Sequence, residues 1–494
     1  MSATATQPSP YASAPQAEIV ALGALALSEA IRTRQLSCRE VMQAYLEQIA
    51  RFNPRVNALV ALRSEDELLR EAGEYDRLLT QGQWLGWLHG LPQAPKDLAA
   101  CAGLVTSMGS PLFARQVSVH DAHVVQRARR AGAIFVGRSN VPEFGLGSHT
   151  YNAVYGTTGN AYDPSRSAGG SSGGAAVALA LRMLPVADGS DMMGSLRNPA
   201  AFNNVYGLRP SQGRVPFGPG QDLFVQQLAS EGPMGRSVAD VAALLRTQAG
   251  QARDVPLSLR GTADLDGPLE RDFRGTRIGW LGDFDGYLPT EAGLLELCEN
   301  GLADFRALGA EVEPCLPDYD LERLWRCWLV HRQWLVAGNL AQAYAAPELR
   351  RQLKPEARWE VESGLGLGAA DVYQASIDRS DWYRALEKLF ERYDYLLLPS
   401  AQVFPFDAQL AWPDAIAGRP MDTYHRWMEV VVGATLAGLP AMNVPVGFNA
   451  AGLPMGVQIL GPAQADLAVL QLAHAHEQRT RWVARRPPAM LDER

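Results

Sequence analysis

A Gly/Ser cluster, Gly169-Gly170-Ser171-Ser172-Gly173-Gly174, opens directly into the helical stretch 175–183. A flexible linker would not run at once into an apolar helix that has to be buried. A phosphate-binding P-loop needs Lys and then Ser or Thr after its last glycine, whereas Ala175 and Ala176 follow Gly174. Gly170, Ser172 and Gly174 also spell the G-x-S-x-G of a nucleophile elbow. That motif demands a strand running into the turn, and residues 160–167 are polar and turn-forming. The elbow survives only as a rival, with Ser172 as nucleophile and a late histidine such as His425 or His474 as base.

Outward from this cluster, helical and strand patterns alternate. Ser37 and Glu40 have capping-box spacing, and Val41, Met42, Tyr45, Leu46 and Ile49 follow at helical periods until Asn53 and Pro54 stop the helix. Asp121 reads as the N-cap of a helix reaching about Gly132, with a strand over 133–136 after it. Residues 207–220 read as a turn-rich loop and 251–275 as a surface crossover. Helices are expected at 238–249, 294–308, 383–393 and 467–478, and strands at 277–281 and 395–398. Such alternation implies an α/β fold with a largely parallel or mixed sheet. No internal repeat or composition shift marks a second core, so one large domain is expected over 17–494, preceded by a disordered or extended arm over 1–16.

Composition narrows the function. The chain has 494 residues, 47% hydrophobic and 20% charged, enough to bury a sizeable core. With 45 basic against 53 acidic side chains, the net charge is −8 and no basic block stands out. That balance excludes nucleic acid and anionic membranes as natural partners. The five cysteines, Cys38, Cys101, Cys298, Cys315 and Cys327, form no C-x-x-C pair and are odd in number; they read as reduced thiols of a cytoplasmic protein without zinc. The polar, Pro-rich N-terminus carries no secretory signal pattern. The longest uncharged run, 430–465, is broken by Gly433, Gly438, Pro440, Asn443 and Pro445, and so reads as buried strand and turn in place of a membrane span.

Two further segments stand out: Asp188-Gly189-Ser190-Asp191-Met192-Met193-Gly194-Ser195-Leu196-Arg197, and the lysine of Gln93-Ala94-Pro95-Lys96-Asp97 in a chain that favours arginine. Alone, Lys96 would be read as a snorkelling surface residue. Together with the Gly/Ser cluster, these segments resemble the amidase signature family of serine hydrolases. Lys96 precedes Ser171 by 75 residues and Ser171 precedes Ser195 by 24, a family-like spacing. Gly137-Arg138-Ser139-Asn140, Glu143-Phe144, Tyr206-Gly207-Leu208-Arg209-Pro210-Ser211, Gly213-Arg214-Val215 and the closing segments 437–441 and 452–458 extend the likeness over nearly the whole chain.

The resemblance implies one domain with a mixed twisted sheet covered by helices on both faces, and a variable helical region at about 320–393 near the substrate cleft. It implies a triad in which Ser195 is the nucleophile, Ser171 the bridging serine after a cis Gly170–Ser171 peptide, and Lys96 the base. Backbone N–H groups of Met192, Met193, Gly194 and Ser195 correspond to the oxyanion hole. Gly170 and Ser172 support the cluster, and Asp191 with Arg197 is a charged pair holding the loop. No metal or organic cofactor is implied; the partner is a small-molecule amide, and a homodimer is compatible with the pattern.

Physical chemistry independently asks for these residue types. A serine hydroxyl is a weak nucleophile that needs a base. Lysine serves only when neutral, so burial has to lower its pKa. One departure stands out: the family usually ends at the nucleophile with Thr-Gly-Gly-Ser, and here it is Met192-Met193-Gly194-Ser195. Methionine keeps the N–H but cannot take positive φ cheaply, so a remodelled pocket wall is expected. His120 with His123, and His474 with His476, lack a carboxylate partner set for a metal. Trp325, Trp328, Leu329 and Trp334, with Trp412 and Trp427, are a stripe that fits the core best, though some of these rings are expected to line an apolar cleft. The expected activity is hydrolysis of apolar or aryl amides through an acyl-enzyme, with esters and carbamates chemically adjacent. The alternative is a glutaminase-type subunit of a tRNA-dependent amidotransferase.

Overall fold

Eight segments pair into one mixed sheet. In the computed structural model, which describes residues 16–225 and 227–493, these are β1 (Val186–Asp191), β2 (Tyr206–Arg209), β3 (Ser230–Gly235), β4 (Arg277–Trp280), β5 (Glu311–Pro314), β6 (Tyr395–Pro399), β7 (Ala441–Phe448) and β8 (Pro454–Leu460). They lie side by side as β5-β4-β6-β8-β7-β2-β3-β1. β4 is parallel to β5 and β6, and the remaining pairings are antiparallel.

The uncharged run supplies the middle of the sheet. β7 and β8 form a hairpin whose turn is fixed by Asn449 Oδ1, which accepts the Leu453 amide at 2.9 Å, and by Gly452 at φ 78°. Every residue of the two strands except Phe448 is buried. Successive side chains point to opposite faces, so both faces are covered by helices, as a continuous apolar pattern requires. Among the described residues, no helix is long and apolar enough to cross a membrane.

Four helices matter for the site: α1 (Cys38–Val56), α2 (Gly173–Ala180), α3 (Arg197–Phe202) and α4 (Leu321–Ala345). Buried apolar side chains form two large clusters where a single core was expected. One joins the sheet centre to α4 and includes Ile278, Leu396, Val444, Trp328 and Trp382. The other joins α1 and α2 to β1 through Tyr45, Phe52, Val177, Leu179 and Val186. Both are apolar and meet on one sheet, so composition does not change where one gives way to the other.

Several local expectations are corrected. The Ser37–Glu40 capping box is present, but α1 passes through Pro54 to Val56. Asn53 Oδ1 accepts the Ala58 and Leu59 amides, and Asn57 closes the helix in the left-handed region, so the proline costs one amide bond and does not end the helix. Asp121 is not an N-cap: its carboxylate takes the Ala102 amide and Arg129, and the helix starts at His123. The strand expected over 133–136 shrinks to Ile134–Phe135, paired outside the main sheet with Pro92–Gln93. The loop expected from 207 begins instead as β2, because a Cβ on Gly207 would lie 2.1 Å from the Leu196 carbonyl oxygen; here glycine marks close backbone approach, not a turn. The arm expected over 1–16 falls, except for Gln16, outside the described residues, and Gln16 opens a short helix to Ala21.

Glycine is equally constrained where α2 meets its neighbours. A Cβ at Gly174 would sit 2.3 Å from Asn140 N and 2.4 Å from the Ala58 carbonyl oxygen, both backbone atoms that cannot turn aside. Gly174→Ala is expected to cost at least about 2 kcal/mol of stability by overpacking. An unchanged urea-unfolding midpoint would contradict this packing.

Candidate active site

Lys96 follows the short strand Pro92–Gln93, and its own amide is held at 3.1 Å by Asp188 Oδ2 on β1. Its side chain is turned inward and 1% exposed. Nζ lies 2.8 Å from Ser171 Oγ, 2.8 Å from Ser172 Oγ, 3.0 Å from Ser190 Oγ and 3.1 Å from the Ser190 carbonyl. A neutral amine has two N–H groups and one lone pair, so it can hydrogen-bond three of these four neighbours at once: the Ser190 carbonyl takes an N–H, and each hydroxyl can donate or accept. Burial lowers the Lys96 pKa to about 7, opposed by the charges of Asp191, Asp188 and Glu231. Burial also raises the Asp188 and Glu231 carboxyls, which weakens that opposition.

Ser171 follows a cis Gly170–Ser171 peptide. Asn198 Oδ1 accepts the Gly170 amide at 3.0 Å, and Thr150 Oγ1 accepts the Gly173 amide at 3.2 Å, so side chains from two other segments hold the cluster. Ser172, immediately before α2, also ties the cluster to the neighbouring loop: its amide donates to the Ser195 carbonyl at 3.3 Å.

Ser195 lies in the 192–196 loop between β1 and α3. Asp191 organises that loop. Its carboxylate accepts the Gly194 amide at 3.0 Å, the Leu196 amide at 3.1 Å and two Arg197 donors at 2.9 and 3.1 Å, while Arg209 donates to the Asp191 carbonyl. Burial works against ionisation of Asp191, but the Arg197 and Arg209 guanidiniums outweigh it and hold the carboxyl well below the usual range. Arg197 is anchored in turn by Gln458 Oε1 at 2.6 Å and the Val431 carbonyl at 3.0 Å.

Two expectations about this loop change. Gly194 adopts the positive φ, 75°, and Met193 does not, so methionine is accommodated without backbone strain. The Met193 side chain packs against the sheet-centred core and, with Met192, also forms part of the cavity wall. The Gly194 N–H, expected in the oxyanion hole, is committed to Asp191. Among the described residues, the amides of Met192, Met193 and Ser195 have no protein acceptor.

Ser171 and Ser195 open on one cavity of about 440 Å³. No hydrogen bond joins their hydroxyls in this structure, whereas Ser171 is joined directly to Lys96. The cavity wall is largely apolar, with Leu98, Phe113, Phe144, Phe217, Val336 and Leu340. An outer chamber of about 740 Å³ shares Phe217 and Asn339 with it. Tryptophan lines none of the inner cavity: Trp325, Trp328 and Trp427 are core, and Trp334 faces the outer chamber. The rings in the cleft are phenylalanines on two three-residue 3-10 turns and a loop, too short for helical periodicity to give a signal. Of the three, Phe144 alone belongs to a family-like motif.

The elbow rival lacks its geometry. Among the described residues, Ser172 Oγ is bonded to Lys96 and to no imidazole, and His425, buried among Tyr424, Trp325 and Trp359, has no hydrogen-bond partner. Among the described residues, no group of three or more His, Cys, Asp or Glu side chains could hold a metal.

Known proteins resemble the chain over nearly its whole length. The amidase family model matches residues 40–470. The glutamyl-tRNA(Gln) amidotransferase A subunit of Methylococcus capsulatus is 33% identical, with 94% of this chain and 98% of that protein covered. The acylamidase of Rhodococcus erythropolis is 32% identical, covering 95% and 98%. A crystal structure of a bacterial aryl acylamidase of the amidase signature enzymes superposes with a TM-score of 0.88 at 28% identity, covering 96% of this chain and 99% of that one. With its fold, its Gly/Ser cluster and the family match over most of its length, the chain belongs to the amidase signature family.

Proposed function

We propose that this protein is an amidase that cleaves apolar or aryl carboxylic amides through an acyl-enzyme on Ser195. The observation that carries this reading is the buried Lys96 amine 2.8 Å from Ser171 Oγ, on the wall of the cavity that Ser195 also faces. Ser195 attacks the carbonyl as its proton passes through Ser171 to Lys96; bound substrate draws the two hydroxyls together, since catalytic hydrogen bonds often tighten only in the complex. The oxyanion accepts N–H donors from among Met192, Met193 and Ser195, an interaction commonly worth about 3–4 kcal/mol per donor. The proton returns to the leaving amine, and water deprotonated by the same relay releases the acid.

The three phenylalanines favour an apolar or aryl substituent, and the cavity is of a size to enclose one. Esters and carbamates present the same electrophilic carbonyl. The five free thiols fit a reducing cytoplasmic compartment. Similarity to amidotransferase A subunits favours a second reading, a glutaminase that works in a complex. Free glutamine brings both an ammonium and a carboxylate, and among the described residues the cavity lining offers Arg332 to the carboxylate but no acidic side chain to the ammonium. The purified chain should therefore hydrolyse simple anilides alone; turnover confined to glutamine and dependent on a partner would select the second reading.

Two measurements test the chemistry. Ser195→Ala and Lys96→Ala are each expected to lower kcat by at least about 10³-fold without loss of fold. Labelling by a fluorophosphonate at Ser172, with activity surviving Lys96→Ala, would overturn the assignment. The working form of Lys96 is the deprotonated one, so kcat/KM on a neutral anilide should fall about tenfold per pH unit below about 7 and level above it. A flat profile down to about pH 5 would contradict a lysine base.

A further inference from the structure

One charged group on the cavity wall has no role in the relay. Arg332 lies on α4 with Val336, Asn339 and Leu340, positions that share one helix face and line the inner cavity. The residue is 2% exposed. Its Nε donates to Glu360 Oε1 at 2.5 Å and its Nη2 to the Tyr424 hydroxyl at 2.6 Å, and that hydroxyl donates to the same Glu360 oxygen at 2.7 Å. The guanidinium also lies over the Trp328 and Tyr424 rings, 5.5 and 5.8 Å from their centroids. Three sides of the group are thus fixed. On the fourth, among the described residues, Nη1 meets only the thioether of Met192, Sδ at 3.5 Å. A thioether is a weak acceptor, so a rigid cationic donor is left with no oxygen partner beside the loop that carries Ser195.

We propose that Arg332 is a specificity-determining residue whose Nη1 hydrogen-bonds an uncharged oxygen acceptor of the substrate, at a second polar point away from the scissile amide. The inference rests on the amidase reading above. The scissile carbonyl is served by the loop amides, so the acceptor belongs to a substituent: a ketone, ester, second amide or nitro oxygen set within an otherwise apolar body. It takes the place that the Met192 sulfur occupies here. Neutrality follows from Glu360, which is 0% exposed and already balances the guanidinium; a second carboxylate would bring an unbalanced charge into a low-dielectric wall.

The test is a panel of anilides in matched pairs, in which a carbonyl replaces a methylene at successive positions of the acyl chain or ring substituent. In the parent enzyme, at least one position should raise kcat/KM about tenfold or more over its hydrocarbon match. That preference should drop to about twofold or less in Arg332→Met/Glu360→Gln, which removes both buried charges together, and should shrink in Arg332→Lys, which keeps Glu360 paired. It should persist in Met192→Leu, which retains the loop N–H and removes the sulfur. The proposal is overturned if no position gives a preference, if the preference survives loss of Arg332, or if Met192→Leu abolishes it, for then Arg332 only pins the loop. A carboxylate favoured over the ketone at the same position would overturn its neutral character. Hydrocarbon anilide turnover that is lost in Ser195→Ala establishes the amidase reading separately, so either idea can fail alone.

Discussion

The site depends on moving a lysine amine out of water and surrounding it with hydroxyls. Lys96 is enclosed by three serines and one carbonyl, none of which carries charge. A charged ammonium in such a place lacks a counterion in contact, and the neutral amine gains by comparison. The carboxylates that could reverse this are managed in different ways. Asp191 is kept ionised, but its carboxylate is occupied by Arg197 and two amides, with Arg209 3.5 Å from Oδ1. Burial favours the neutral forms of Asp188 and Glu231. The neutral amine is thus favoured by its enclosure more than by any single partner.

The sheet converts this enclosure into a geometry. β1 alone contributes Asp188, which holds the Lys96 backbone, Ser190, which contacts its amine, and Asp191, which shapes the Ser195 loop. Gly207 on β2 lets the Leu196 carbonyl approach the sheet, and Gln458 on β8 anchors Arg197. Loop and sheet are therefore one unit. Asp191 does two things at once: it ties the loop through the Gly194 amide and thereby removes that amide from the donors available to substrate.

Residues whose chemistry forces their surroundings were legible in the sequence. The Gly/Ser cluster opening an apolar helix points to close approach by itself, whereas Lys96 alone reads as a surface residue and joins Ser195, Asp191 and Arg197 around one cavity only through the family resemblance. What escaped depends on contacts distant in sequence. Gly207 reads as a turn until Leu196 is seen against it. On α4, Trp325 and Trp328 share a side with Arg332, Val336, Asn339 and Leu340 but lie a turn or two earlier, in the core as the sequence favoured, while Trp334 on the opposite side faces the outer chamber; which turn of one face meets the cleft is not periodic information. Phe113 and Phe144 sit in three-residue 3-10 turns and Phe217 in a loop, none long enough to show a period. Pro54 stops no helix because Asn53 and Asn57 close its end.

The central claim is that the Lys96 amine is uncharged in a large fraction of molecules at neutral pH. The sequence contains only Lys96, Lys354 and Lys388 as lysines, so the Nζ nuclei of protein labelled with ¹⁵N-lysine can be followed individually through a pH titration, with Lys96→Met identifying the signal. The account predicts a Lys96 midpoint near the value of about 7 to which burial lowers it. A midpoint at the ordinary lysine value of about 10.4 would contradict it.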